Sequence, residues 1–246
     1  STSAFDMDKA DELLLQRAEK APWYLRGFAA LGLALAAREG DPAVASMRLF
    51  RTKASALLLQ MARDKQLNAS VRSAAVVGLG LLGMESNVPT LIAIARRAGT
   101  DLEVRAHAAL ALGQIGSKTQ GVVEALSDLA LGSAPDRLRG HAALALSLLG
   151  EGAIAKDLIA GLDRDTSTRR LAATTRALGR LGELAAVEPL LAQAARPDAR
   201  PLVRAMAIVS LGRLLDPEPR PSLLRLSLGA CYPARSRALH ELLTIL

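Results

Sequence analysis

The chain has 246 residues, a formal net charge of +7 and a composition that is 50% hydrophobic but only 2% aromatic. Its single cysteine, Cys231, excludes an intrachain disulfide framework, and no Cys/His spacing typical of a zinc site occurs. No apolar run is long and uncharged enough to span a membrane as a helix. Because the apolar residues are mostly Ala, Leu, Val and Ile, the composition favours an all-α protein with many close helix–helix contacts.

The first 21 residues precede the first recognisable repeat. Residues 6–20 have the spacing of a short amphipathic helix with a charged outer face, so we predict that 1–21 forms an N-terminal cap helix. Trp23 and Tyr24 follow this segment, and we expect them to pack the cap against the first repeat. The alternative, in which the sequence begins inside a longer array, stays open at this point.

A pattern of the form V-R-x-x-A-A-x-A-L-G-x-I-G, with variations, recurs at intervals of 33, 34, 32 and 33 residues. Apolar residues fall at i, i+3, i+4 and i+7 in each copy, and a second apolar helix follows, so each unit is predicted to be a helical hairpin that stacks on its neighbours. An irregular first repeat precedes these copies, and its long insertion between Pro42 and Lys65 reads as one long helix or two. Within a single solenoid over 1–246, the predicted boundaries are 22–70 for the irregular repeat, 71–103, 104–137, 138–169, 170–202 and 203–233 for the regular repeats, and 234–246 for a terminal capping helix.

Glycine recurs at two positions of these copies. The glycine that closes a copy stands where a helix commonly ends in a left-handed residue. The other lies within the first helix, where glycine costs roughly 1 kcal/mol relative to alanine, so its recurrence predicts that a neighbouring helix packs too closely for a Cβ. The closing glycines are Gly83, Gly116, Gly150 and Gly182, and the mid-helix glycines are Gly80, Gly113, Gly179 and Gly212.

This pattern, with its second helix and its Asp-containing turn, resembles the HEAT-like repeats of the phycobilisome-lyase type over residues 22–246. The resemblance implies a right-handed α-solenoid, a superhelix of stacked helical hairpins related to the HEAT and armadillo folds. It also implies that a turn Asp and a helix Arg tie one repeat to the next, although residues 169–171 depart from this arrangement. The residues to which the resemblance gives this structural role are Asp101, Arg105, Asp136, Arg139 and Arg204.

Such a resemblance specifies a scaffold more closely than a function, because repeat proteins share a fold and differ in their surfaces. In such solenoids the second helices line a concave surface, and here their outward residues are mixed in charge and often small. We therefore expect a non-catalytic scaffold that presents this surface to a protein or peptide partner, with neither a cofactor nor a metal. The expected contact residues are Arg96, Arg97, Glu124, Asp128, Lys156, Asp157, Glu188, Gln193 and Arg225.

The positive charge leaves nucleic-acid binding open as an alternative. Residues 164–237 contain thirteen Arg against six acidic residues, an excess that equals the net charge of the whole chain. A phosphate backbone is bound by a continuous basic track, ideally with aromatic faces on which bases stack. The outward positions of the second helices show no such track, so this alternative rests on the Arg-rich C-terminal half alone.

Two histidines, His107 and His141, recur in register one repeat apart, and this spacing raises the question of a metal site. HEAT-like deoxyhypusine hydroxylases, which are diiron enzymes, carry His-Glu pairs at such repeats, but here Ala108 and Ala142 follow the histidines. We therefore interpret both histidines as half-buried packing residues. Cys231 has arginines nearby but no histidine in register, so a packed cysteine is expected there. A bilin-lyase-like chaperone or enzyme subunit is a second alternative, because it fits the repeat type.

Overall fold

The computed structural model describes residues 7–39, 43–163 and 167–215, with side chains from residue 11 onward. The chain divides into two compact units, residues 1–214 and 215–246, and the described residues belong to the first unit apart from Leu215. The regular secondary structure of the described residues is entirely helical. The α-helices are α1 (Met7–Lys20), α2 (Trp23–Glu39), α3 (Ala45–Arg63), α4 (Ala69–Leu82), α5 (Val88–Arg96), α6 (Leu102–Ile115), α7 (Gln120–Leu131), α8 (Asp136–Leu149), α9 (Ala155–Leu162), α10 (Thr168–Leu181), α11 (Val187–Ala195) and α12 (Pro201–Leu215), and single 3-10 turns lead into α5, α9 and α11.

These helices form stacked hairpins within the first unit. The first helices of successive repeats, α2, α4, α6, α8 and α10, pack against one another in chain order. The second helices α3, α5, α7 and α9 each pack against the first helix of the following repeat. Stacking thus covers the apolar surface that a single hairpin cannot bury by itself. The predicted all-α solenoid is confirmed.

The irregular first repeat is a hairpin of two long helices. α2 has 17 residues and α3 has 19, against 14 in α4, α6 and α8. The insertion therefore lengthens one helix, α3, on which Phe50, Ala54 and Leu58 are buried. α1 packs on both α2 and α3. The predicted terminal helix at 234–246 lies outside the described residues.

Glycine ends four of the first helices in the left-handed conformation that the sequence predicts. This conformation is unfavourable for a residue with a Cβ, and glycine adopts it freely. Each of these residues turns the chain from a first helix towards the second helix of the same repeat. The φ angles are 68° at Gly83, 79° at Gly116, 71° at Gly150 and 77° at Gly182.

The mid-helix glycines let the first helices approach closely, as predicted, at three of the four positions. A Cβ at any of the three would come nearer to the next first helix than ordinary van der Waals contact allows. The distances from that Cβ are 2.9 Å between Gly80 and the Ala111 Cα, 2.6 Å between Gly113 and the Ala145 Cα, and 2.6 Å between Gly179 and the Ser210 Cβ. At Gly212, by contrast, the described residues place nothing within 4 Å.

Replacing Gly113 by alanine is expected to lower the free energy of unfolding by about 1–3 kcal/mol, because the added methyl would overlap the backbone of Ala145. Gly121, in the first turn of α7, is the matched control, since a Cβ there would meet nothing within 4 Å. Gly121→Ala should raise the free energy of unfolding by about 0.5–1 kcal/mol. Chemical denaturation measures both changes, and equal free energies for the two variants would contradict the close-packing explanation.

A recurring arginine near the start of the first helices joins them to the preceding second helix. Its Nε donates to a backbone carbonyl in the last turn of that helix, which is one of the carbonyls left without a partner at a helix end. The donor–acceptor distances are 3.3 Å from Arg72 to Ala62, 2.9 Å from Arg105 to Ala95, 3.2 Å from Arg139 to Ala130 and 3.4 Å from Arg204 to Ala194.

The turn aspartates bond to arginines of a neighbouring repeat. Asp101 accepts a hydrogen bond of 2.7 Å from Nη1 of Arg72, so this one guanidinium connects α3, α4 and the turn before α6. Asp136 accepts a hydrogen bond of 3.1 Å from Nη1 of Arg170. At this joint the position of the recurring arginine holds Leu171. The hydrogen bond to Asp136 comes from the preceding residue, Arg170.

Arg72 is 7% exposed, whereas the equivalent Arg204 is exposed. Arg72→Met should therefore lower the free energy of unfolding by about 1–3 kcal/mol, because it removes the donor of the Ala62 carbonyl and of Asp101. Arg204→Met should change it by at most about 0.5 kcal/mol. Urea denaturation compares the two variants. An equally large loss from Arg204→Met would contradict the dependence on burial.

Candidate functional site

The second-helix face, formed by the predicted contact residues on α5, α7, α9 and α11, is largely exposed, and some of its charges pair with each other. Nη2 of Arg96 lies 2.6 Å from Oδ2 of Asp128, with 48% and 70% of the two side chains exposed. Such a solvated pair contributes little free energy. The exposed members of the predicted set are Arg96, Arg97, Glu124, Asp128, Lys156, Asp157 and Glu188.

One member of the predicted set, Gln193, is not part of this exposed face. Gln193 is 3% exposed, and its Nε2 donates to the carbonyl of Leu162 at 3.4 Å. The expectation that Gln193 contacts a partner is therefore wrong: its amide pairs with the end of the neighbouring second helix, α9. Arg225 lies outside the described residues.

Outward side chains of the first helices form another surface, the first-helix face. Its members are exposed or half-buried. Because the first helices pack closely, residues of different repeats become neighbours there: the rings of His107 and His141, 34 residues apart in sequence, have centroids 5.8 Å apart. We define this face by the equivalent position in six helices, which holds Phe28, Ala74, His107, His141, Ala173 and Met206.

The α2 end of the first-helix face is aromatic. The expectation that Trp23 and Tyr24 pack the cap is wrong, since both are exposed and their rings meet edge to face at 5.8 Å. Smaller side chains, including Ala18 and Leu33, form the core between α1 and α2, which leaves the aromatic rings on the solvent side. The exposed fractions are 71% for Trp23, 59% for Tyr24, 48% for Leu25 and 74% for Phe28.

Phe28 separates two open grooves. One groove, of about 660 Å³, is lined by α1 and α2 and includes the basic side chains of Arg17 and Lys20. The other, of about 290 Å³, is lined by α2, α4 and the residue before α4, and its lining residues carry no charge. This end of the face therefore offers apolar and aromatic contacts with positive charge at one side.

His107 and His141 lie at the centre of the first-helix face with Glu103 and Arg137. Nδ1 of His107 is 2.9 Å from the Glu103 carbonyl, and Nδ1 of His141 is 2.8 Å from the Arg137 carbonyl. A carbonyl oxygen only accepts, so each Nδ1 carries the proton of its hydrogen bond. The side chain of His107 is 22% exposed, and Arg137 forms an ion pair with Glu103 across α6 and α8.

Within the described ranges, no three or more His, Cys, Asp or Glu side chains are grouped so that they could hold a metal ion. In the same part of the chain, no helix is both long and apolar enough to cross a membrane.

Residues 55–147 and 155–243 match the sequence profile of HEAT repeats. The chain belongs to the HEAT-repeat family. Two solved structures are similar to this HEAT-repeat chain, and the likeness concerns the fold alone. Human deoxyhypusine hydroxylase in complex with glycerol is 21% identical with a TM-score of 0.34, over 95% of this chain and 93% of that one. The complex of CpcE and CpcF of phycocyanin lyase from Nostoc sp. PCC7120 is 19% identical with a TM-score of 0.47, over 89% and 92%. No curated protein gives a significant match.

Sequence reasoning placed the candidate site on the second helices and missed the first-helix face. The signal was present in the repeat alignment: at the position of Phe28, residue type changes from repeat to repeat, while the scaffold positions keep Arg, Ala, Leu or Gly. His107 and His141 occupy this position, and both are half-buried, as the sequence predicts. How far neighbouring helices cover this position depends on the stacking of the helices.

Burial lowers the pKa of His141 from its ordinary value of 6.5. The hydrogen bond to the Arg137 carbonyl opposes this shift, the charges of His107 and Arg137 add to it, and Glu103 opposes it. Because the pKa is lower in the folded state, the unfolded chain takes up the proton more readily as the pH falls below 6.5. The contribution of neutral His141 to stability is therefore complete above this pH and is lost as the pH falls from 6.5 through the folded-state pKa.

Substitution of His141 by alanine, the residue that two other repeats carry at this position, is expected to reduce the loss of stability on acidification. Urea denaturation at intervals between about pH 7 and about pH 5 should give a shallower decline for His141→Ala than for the unsubstituted protein. Equal slopes for the two proteins would contradict the assignment of this pH dependence to His141.

Proposed function

We propose that this HEAT-repeat chain is a non-catalytic binding module that docks a protein partner on the aromatic end of its first-helix face. One observation carries the proposal: of the six aromatic residues in the whole chain, three are exposed together on α2. Contiguous exposed apolar surface on a folded protein is characteristic of an interaction site, whereas single exposed residues are common. The residues concerned are Trp23, Tyr24, Leu25 and Phe28.

The aromatic end has the properties of an interface centre. Trp and Tyr dominate the binding energy of many protein interfaces because they bury a large area with few rotatable bonds. The two grooves beside Phe28 provide space for apolar side chains of a partner. The opposite side of α2 is fixed in the core by Ala30, Leu33 and Ala34, so partner binding requires little ordering of the backbone.

The aromatic end is a better candidate than the second-helix face. Arg96 and Asp128 on that face already pair with each other within the chain, so these two charges are less available to a partner. A binding role is favoured over catalysis because the described residues that line the two grooves include no His, Cys, Asp or Glu, the side chains that most often transfer protons.

Several arginines of the basic C-terminal half make intramolecular contacts, and this observation weakens the case for nucleic-acid binding. Arg170 bonds to Asp136, and Arg204 bonds to a backbone carbonyl of α11. Arg196 forms an ion pair of 3.2 Å with Asp198. A phosphate backbone requires a continuous run of cations, and these three arginines are already directed to other acceptors.

A photo-crosslinking amino acid at position 28 tests the proposal. It should capture a protein partner that the same group at position 124, on the second-helix face, does not capture. With that partner identified and purified, calorimetric titration should show that Phe28→Ala and Trp23→Ala each weaken binding about tenfold or more. Glu124→Ala, at an exposed position on the other face, is the matched control and should stay within about twofold of the unsubstituted protein.

Thermal unfolding of the same variants separates a lost contact from a lost fold. Phe28 is 74% exposed, so Phe28→Ala should leave the unfolding midpoint nearly unchanged. If both aromatic variants bind normally while Glu124→Ala loses affinity, the docking site lies on the second-helix face and the proposal is wrong.

A further inference from the structure

Another open groove, of about 420 Å³, lies where the last turns of α3 and α5 meet the start of α4. Arg63 ends α3, Lys65 follows it closely, and Arg97 directly follows α5, so two successive second helices bring their C-terminal cations to one groove. The buried Arg72 of α4 also lines it. The described residues that line this groove include four cations and two threonines but no acidic residue. We call it the basic groove.

The helix α5 supplies no carboxylate to balance these cations, because its sequence contains no acidic residue. The next joint differs, since Asp128 of α7 pairs with Arg96 at 2.6 Å. Arg63 stands in its own repeat where Arg96 stands in the following one, directly after the alanine whose carbonyl accepts from the recurring arginine. Instead of a carboxylate, Nη2 of Arg63 contacts the neutral Oγ1 of Thr90 at 2.8 Å.

Two acidic residues adjoin the basic groove in sequence, and both already have partners. Oδ1 of Asp64 accepts a hydrogen bond of 2.8 Å from a backbone N–H of its own turn, and Oδ2 of Asp101 accepts one of 2.7 Å from Arg72. Lys65 and Arg97 are exposed, and neither side chain has a partner among the described residues. Four cations against two carboxylates leave this region with a positive charge.

We propose that the basic groove binds a small compound that carries a phosphate group. Guanidinium groups bind phosphate oxygens through paired, charge-assisted hydrogen bonds, and a lysine ammonium adds a point charge. Arg63, Lys65 and Arg97 supply these cations from the rim of one groove. Thr90 accepts its hydrogen bond from Arg63, so its own hydroxyl proton is left to be donated to a phosphate oxygen.

The remaining part of the basic groove suits the rest of such a compound. Its volume of about 420 Å³ lies within the range of small-ligand sites and exceeds what one phosphate group occupies. A phosphate backbone of nucleic acid requires a continuous basic track, whereas the next second helix, α7, presents Glu124 and Asp128. The site is also distinct from the aromatic end proposed to dock a protein. Its apolar lining consists of Ala62, Pro89, Ala93 and Ile94.

Phenyl phosphate is the probe for the test, since it joins a phosphate group to a small apolar ring. The unsubstituted chain should bind it in calorimetric titration at low ionic strength, and more tightly than it binds inorganic phosphate. Arg97→Gln and Lys65→Gln should each weaken binding about tenfold, because each removes a charged hydrogen-bond donor. Arg96→Gln is the matched control: it removes the same charge one residue away, at an exposed side chain that pairs with Asp128, and should stay within about twofold.

Thermal unfolding of these variants separates a lost contact from a lost fold. Arg97 and Lys65 are exposed, so their substitutions should leave the unfolding midpoint nearly unchanged. No binding of phenyl phosphate, equal binding by all variants, or an equal loss in Arg96→Gln would overturn the proposal. Inorganic phosphate that binds as tightly as phenyl phosphate would show that the groove recognises the free ion and no larger compound.

Two further outcomes would assign the binding elsewhere. Phe28→Ala should leave phenyl phosphate binding unchanged, and a loss of binding in this variant would place the compound at the aromatic end instead. A DNA duplex that displaces phenyl phosphate and loses affinity in Arg97→Gln would assign the basic groove to nucleic acid. Either outcome overturns the proposal. Protein docking at the aromatic end is tested separately, because it depends on Trp23 and Phe28 and on none of the cations of the basic groove.

Discussion

The close packing of successive first helices is the constraint on which the rest of this structure depends. Small residues at the contact, such as Gly113 against Ala145, bring the helix backbones nearer than side chains with a Cβ would permit. This spacing places equivalent residues of neighbouring repeats side by side, as His107 and His141 show. The grouping of side chains on the first-helix face therefore depends on the glycine and alanine residues at the helix contacts, although none of those residues contributes a functional group to it.

Arginine has two roles in this chain, and the repeat register distinguishes them. Arginines that recur at one position, such as Arg72 and Arg105, donate to the carbonyl end of the preceding second helix and belong to the scaffold. Arg176 and Arg180 stand where other repeats have leucine, and burial together with the charge of Arg213 lowers the pKa of both. Residues that depart from the local rule without improving the fold are the ones expected to carry function. The net charge of the chain counts arginines of both kinds together, so it does not reveal either role.

The chemical character of the first-helix face changes from one repeat to the next along the chain. Its α2 end is aromatic, its centre contains the His107 and His141 pair with an ion pair between α6 and α8, and its α10 end is basic. Each repeat contributes one strip of this surface while its buried residues stay similar. A solenoid can therefore carry chemically different surfaces at its two ends without changing its core, because each repeat contacts mainly its neighbours.

The sequence by itself determined the helices, their register and the glycine positions, because these depend on periodicity within one repeat. It predicted the left-handed residue at Gly116 and the close contact at Gly113, and both follow from local rules. The tertiary structure alone decided which side chains remain exposed. Gln193 is buried and Trp23 is exposed, against expectation, because one residue of shift turns a side chain by about 100° around a helix. Whether that direction meets solvent or another helix is set by neighbours distant in sequence, which no pattern within a single repeat specifies.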